Sequence, residues 1–356
     1  MRENGAKYVC AVCAILCFIA FAIGGPTPAY AAQKLTITSF GGSFQAAQRK
    51  AYMEPFAEKY GVEIIEDEWH GDMAKLRAMV QSGNVTWDVL DLSDGQIELA
   101  CDEGLIEPLD PSLFGGKDAF VEGSITECGI GTIVASLVIG YDARQFPGNE
   151  PTKLTDFWDV KKFPGPRAMK KWPKHNMEFA LLADGVLPEQ IYELLSTEEG
   201  ITRAFRKLDE IKPHVKVWFG SWAQPGQLMA DGEVAMSIGT NGRLAVAAET
   251  NPNIKFFWDR QGYGIDLWGV VKGCKNKEMA IKFIQFASLP ENQAEFPKYI
   301  QYGPTVKEAI EKMSSELAAK MPTAPGNMKN AWKIDSRFWS DNMDDFNIRF
   351  NAWLGK

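Results

Sequence analysis

The chain of 356 residues is 46% apolar and 24% charged, and its acids outnumber its bases by 46 to 38. At roughly 150 residues per domain this is length for two lobes, and the composition excludes a disordered chain, a coiled coil and a multi-span membrane protein. An acidic chain without a basic run is not built to bind nucleic acid, and three histidines leave little for a His-rich metal site.

Residues 1–31 read as an export signal. Arg2 and Lys7 supply a positive start, and residues 8–33 carry no charge. Pro26 and Pro28 break any helix, and Ala29-Tyr30-Ala31 supplies the small-x-small pattern cut by a signal peptidase. Cleavage is expected after Ala31, with release into the periplasm; by length alone the stretch also suits a retained anchor. Cys101, Cys128 and Cys274 then remain. Export favours a bridge, and Cys101–Cys128 closes a modest loop within one lobe. Three buried thiols are the equal alternative at this point.

In chain order, residues 35–40 alternate as a strand. Gly41-Gly42 then turns the chain into a helix over 43–60, capped by Ser43 and ended by Gly61. A second strand is expected over 62–66. A helix over 72–82 has Met73, Leu76, Met79 and Val80 on one face, and a short strand covers 88–92. A helix over 97–103, closed by Gly104, completes a run of βαβ units with a mainly parallel sheet. Residues 130–141 suit a buried strand leaving the first lobe, and the Pro-, Gly- and Lys-rich stretch 161–174 reads as surface loop. Helices follow over 189–195, 199–211, 224–230 and 242–249, and strands over 215–219, 233–238, 254–258 and 266–271. Further helices cover 278–287 and 291–299, and the last forty residues are mostly helical. The expected organisation is a signal peptide (1–31), a first lobe (32–140), a second lobe (141–264) and a return to the first lobe with C-terminal helices (265–356). This is an α/β fold of two hinged lobes, and ligands in such sheets sit at the carboxyl ends of strands.

Six stretches carry a resemblance. They are Thr38-Ser39-Phe40-Gly41-Gly42-Ser43-Phe44, Glu103-Gly104-Leu105-Ile106-Glu107-Pro108-Leu109-Asp110, and Asp159-Val160-Lys161-Lys162-Phe163-Pro164-Gly165. Ala180-Leu181-Leu182-Ala183-Asp184-Gly185-Val186, Asn241-Gly242-Arg243 and Tyr302-Gly303-Pro304-Thr305 complete the set. In order and spacing they resemble the polyamine-type (spermidine/putrescine) periplasmic solute-binding proteins, the capture subunits of ABC importers. The resemblance implies a monomeric clamp of the type II-like fold that closes on a small amine or amino acid. It implies no cofactor and no metal, and delivery to an inner-membrane ABC permease.

Carried over residue by residue, the resemblance assigns the first-strand aromatic to Phe40 and the third-strand serine to Ser93, followed here by Asp94 and Gly95. It assigns an acid at a second-lobe helix start to Glu178, and the ammonium-pairing aspartate to Asp266. His175, Thr240 and Gly264 stand where the family has a second acid and two tryptophans, and Arg243 stands where the polyamine binders have no arginine. A polyamine needs carboxylates at both ends and aromatic faces between them. Acids at one end and an arginine at the other suit a zwitterion such as an ω-amino acid. Gly41-Gly42-Ser43 at a helix start offers backbone N–H groups to an anion as well. Trp222 joins the candidates from the cluster Trp218, Phe219, Ser221, Trp222 and Gln224 after a strand.

Each candidate also has a plain structural alternative: a strand-end acid for Asp266, a helix-face ion pair for Arg243, a solvated acid for Glu178 and core packing for Trp222. A sugar binder of the same fold, stacking on Trp222 and Trp69, is the competing function. No nucleophile elbow, metalloprotease, P-loop or dinucleotide motif is present, so an enzyme is not expected; a hydrolase using cleft carboxylates is the third reading.

Overall fold

The strands lie in a single mixed sheet of ten. They are β1 (Lys34–Ser39), β2 (Glu63–Glu68), β3 (Val89–Ser93), β4 (Ile130–Asp142), β5 (Arg167–Lys170), β6 (Val215–Phe219), β7 (Met236–Thr240), β8 (Ile254–Val270), β9 (Gly303–Pro304) and β10 (Trp332–Lys333). The computed structural model describes residues 33–356, so the expected export segment 1–31 lies outside the described residues. Lys34–Lys356 form one compact unit.

The sheet runs β2-β1-β3-β8-β4-β7-β5-β6, with β9 beside β4 and β10 beside β8. At one end β1 pairs parallel to β2 and β3; at the other β5 pairs parallel to β6 and β7. The long strands β4 and β8 pair antiparallel to each other in the middle and belong to both ends. The parallel βαβ pattern therefore holds at each end, while the sheet as a whole is mixed.

Strand β8 was expected as two strands, 254–258 and 266–271. It is one strand of 17 residues with an irregular centre. Leu137 pairs with Gly262 and Ile139 with Phe257, so several residues of β8 arch out opposite one residue of β4. Arg260 sits at φ 54° within that arch. Its guanidinium donates to Leu182 O at 2.7 Å, which holds a backbone conformation unfavourable for a residue with a Cβ.

The stretch 161–174, expected as surface loop, holds β5 and several buried groups. Arg167 is fully buried because its guanidinium donates to Phe157 O, Gly165 O and Phe163 O at 3.0, 2.7 and 2.6 Å. Composition misled here: a charge looks exposed until tertiary backbone carbonyls are there to accept from it. The helix expected over 43–60 is continuous, with a π-helical turn at Arg49–Met53, and Gly61 closes it at φ 65°. Its cap is Gly41 rather than Ser43.

Each end of the sheet has its own apolar core. Leu35, Ile37, Phe44, Phe56, Trp268 and Phe283 pack around β1, β3 and the adjoining half of β8. Leu137, Met169, Phe179, Leu208 and Ile238 pack around β5 and β7. The C-terminal helix Ser336–Leu354, capped by Asp335 on Phe338 N, lays Trp339, Phe346, Phe350 and Trp353 on this second core. Its first turn reaches the other side, where Arg337 pairs with Asp102 at 3.0 Å. A Cys101–Cys128 bridge ties helix Asp94–Asp102 to the segment before β4, and Cys274 is a free, half-buried thiol.

Candidate functional site

A cavity of about 370 Å³ opens where the carboxyl ends of β1, β3, β5, β6 and β7 face the middle of β4 and β8. Strand ends are where a parallel sheet leaves backbone groups and helix starts unpaired. Phe40 follows β1, Ser93 ends β3 with Asp94 next, Lys170 ends β5, Trp222 follows β6, and Thr240 ends β7 with Arg243 beyond it. Ser136 enters from the centre of β4, and Gly264 and Asp266 from the centre of β8.

The acids come from one side. Asp266, half-buried and facing Ser93 across the strand pair, has no hydrogen bond or ion pair to a described residue. Burial, with Asp94 adding like charge, pushes its carboxyl up to about 7; Lys174 and Arg243 pull it partly back. Behind it Asp91 is fully buried, accepts from Gln48 Nε2 and is also raised, first by burial and then by Asp266.

The bases come from the other side. Arg243, in the first turn of helix Asn241–Thr250, crosses the cleft: its Nη2 donates to Phe40 O and Gly41 O at 3.3 and 3.2 Å. Gly42 sits at φ 60°, which favours glycine, and a Cβ there would lie 2.8 Å from Arg243 Nη1, so a side chain would also push the guanidinium aside. Lys170 holds its ammonium over the Trp222 ring at 5.2 Å and donates to Gly220 O; burial lowers it to about 8. Lys174 is 6% exposed. His175 beside it is buried, sits at φ 77°, and is held well below its ordinary value by burial and by Lys174 and Lys170.

Of the six residues picked from sequence, Phe40, Ser93, Trp222, Arg243 and Asp266 line this one cavity. Glu178 does not. It is buried beneath the wall, where it accepts from His175 N–H at 2.6 Å, Trp339 Nε1 at 2.6 Å and Tyr192 Oη at 3.2 Å. Its two oxygens serve three donors and shape the His175 turn, so it has no face for a solute. Burial raises it to about 7 despite those bonds.

Trp69, the proposed sugar platform, is also behind the wall: it is 3% exposed, stacks on Phe40 at 5.8 Å and donates to Asp91 O. Trp218 packs on Phe350 and Trp353 of the C-terminal helix. Thr240 and Gly264, which replace two aromatic walls, do border the cavity, and Thr240 accepts from Tyr302 Oη at 2.9 Å. Lys170, Trp172, Lys174 and Tyr302 also line it and were not picked. Tyr302 opens one of the resemblance stretches, which is a usable signal. The lysines had none, because their stretch reads as surface.

The family described as bacterial extracellular solute-binding protein matches residues 51–326. The chain is 43% identical over 324 residues to the gamma-aminobutyric acid-binding protein of Pseudomonas aeruginosa PAO1, covering 91% of this chain and 92% of that one. Among solved structures, the binding protein MotA from A. tumefaciens B6 in complex with glucopine superposes with a TM-score of 0.84 at 33% identity, over 90% of this chain and 100% of that one. A solved GABA receptor superposes with a TM-score of 0.80 at 32% identity, over 91% and 98%.

Proposed function

The chain belongs to the bacterial extracellular solute-binding protein family, and from that premise we propose that it captures an ω-amino acid of the γ-aminobutyrate type for an inner-membrane ABC permease. The observation that carries this is the separation of charge across one cavity: Asp94 and Asp266 on one side, Arg243 and the lysines on the other. Asp266 receives the ammonium, with Asp94 adding to the field. Arg243 offers its guanidinium fork to the carboxylate. Phe40 and Trp222 bound the methylene chain between them, and Ser93 adds a hydroxyl at the ammonium end. Glu178 acts at one remove, by fixing the His175 turn.

A diamine has the same chain but brings its second ammonium against Arg243 and Lys174. Like charges opposed in a desolvated site cost several kcal/mol. A sugar makes no use of either charged wall. The P. aeruginosa relative's name fits the zwitterion reading, as does the GABA receptor's.

Capture works by hinge closure. Lobes 32–140 and 141–264 move about the β4 and β8 crossings, and the solute touches both walls only when they close. The protein acts as a periplasmic monomer once residues 1–31 are removed. It binds and releases, with no chemical step and no cofactor.

The test is a thermal-shift panel on residues 32–356, unfolded and refolded to remove carried solute. γ-Aminobutyrate at a hundredfold excess over Kd should raise the melting temperature by roughly 4 °C. Putrescine and glucose should leave it unchanged. A shift with glucose alone, or with putrescine alone, contradicts the reading.

A further inference from the structure

The basic wall carries more positive charge than one carboxylate neutralises. Arg243 is one cation, partly engaged by Phe40 O and Gly41 O. Lys174 is another: it is 6% exposed, makes no ion pair or hydrogen bond with a described residue, and holds its ammonium 5.9 Å from the Trp172 ring. Glu178 beneath it is spent on His175, Trp339 and Tyr192. His175 is 5% exposed, and its Nδ1 is buried without a partner. A buried ammonium beside a buried unpartnered ring nitrogen is costly unless an anion arrives.

The two cationic places are separate. Arg243 follows β7 and reaches Phe40 O and Gly41 O, whereas Lys170 ends β5 and lies over Trp222, against which the His175 ring packs at 5.6 Å. Asp266 is influenced by both Arg243 and Lys174.

We propose that Lys174, Lys170 and His175 form a second anion subsite, and that the preferred solute is an amine carrying two carboxylates. This rests on the zwitterion reading above and narrows it. The ammonium lies at Asp266, one carboxylate at Arg243 and the other at Lys174, with His175 Nδ1 donating to it in the tautomer that protonates that nitrogen. Lys170, held over Trp222, closes the far side of the second carboxylate.

Titration calorimetry with two probes tests this: γ-aminobutyrate and N-(carboxymethyl)-γ-aminobutyrate, which adds a second carboxylate across the amine. The native chain should bind the dicarboxylate at least about tenfold more tightly. Lys174→Met should abolish that preference by weakening the dicarboxylate about tenfold more than γ-aminobutyrate, and Lys174→Arg should retain it. If Lys174→Met does not fold, Lys170→Met is read the same way. Equal affinity of the native chain for both probes overturns the second subsite and leaves the zwitterion reading intact. So does an equal loss for both probes in the Met variant, which would place Lys174 on the same carboxylate as Arg243. Binding of the dicarboxylate alone supports the subsite and removes γ-aminobutyrate as the solute type. Binding of neither overturns both.

Discussion

Asp266 is an acid placed where its charge is unwelcome until a cation comes. Burial and Asp94 raise its carboxyl to about 7, so near neutral pH it is poised between forms. For the free protein the sign is as follows. Between the ordinary carboxyl range and about 7, the folded state holds a proton that the unfolded state has lost, so stability falls as pH rises through that window. Glu178, also raised to about 7, acts in the same direction. Solute binding has the opposite dependence, because an ammonium needs the carboxylate. The affinity for γ-aminobutyrate should therefore drop by up to about tenfold per pH unit below about 7. Calorimetry and melting curves from about pH 8 to pH 5.5 would show binding weaken while the free protein melts higher. Asp266→Asn should cost about 2 kcal/mol or more of binding and flatten its pH dependence. Unchanged affinity in that variant would remove Asp266 from the site.

At the scale of elements, the strands and helices that read clearly were those with a single regular period. The first βαβ run is visible in the alternation of Leu35 and Ile37 and in the amphipathic face around Leu76, all three fully buried. β8 was less legible because Gly262, Gly264 and Arg260 interrupt its pattern at the place where it arches. β5 was hidden for a different reason. Pro164, Gly165 and the lysines look like solvent-facing loop, and only tertiary carbonyls explain why Arg167 goes inside. The same blindness hid Lys170 and Lys174. Glu178 was matched by position, but its burial depends on Trp339, 161 residues away. The bridge between Cys101 and Cys128 closes a loop of 27 residues. In the chain-entropy account that is worth about 3.5 kcal/mol. Replacing both cysteines with alanine should lower the unfolding free energy in guanidinium by about that amount, with the γ-aminobutyrate affinity unchanged, since neither residue lines the cavity. A loss below about 1 kcal/mol would mean the bridge constrains little in the unfolded chain.

At the scale of the molecule, two long antiparallel strands carry the chain between two parallel sheet ends, each with its own core. The cavity lies where the strand ends of both meet, so its acidic and basic walls come from different ends of the sheet. That architecture turns a difference in charge into a reason to close: a zwitterion gains from both walls together and from neither alone. The central claim is that this cleft selects for opposite charges at the two ends of a short chain. Titration calorimetry of the refolded chain with γ-aminobutyrate and with putrescine, at equal pH and ionic strength, tests it most directly. The two share a four-carbon backbone and differ in one terminal charge. Binding of γ-aminobutyrate at least about a hundredfold tighter than putrescine is the predicted result. Putrescine binding as tightly as γ-aminobutyrate, or more so, would contradict it.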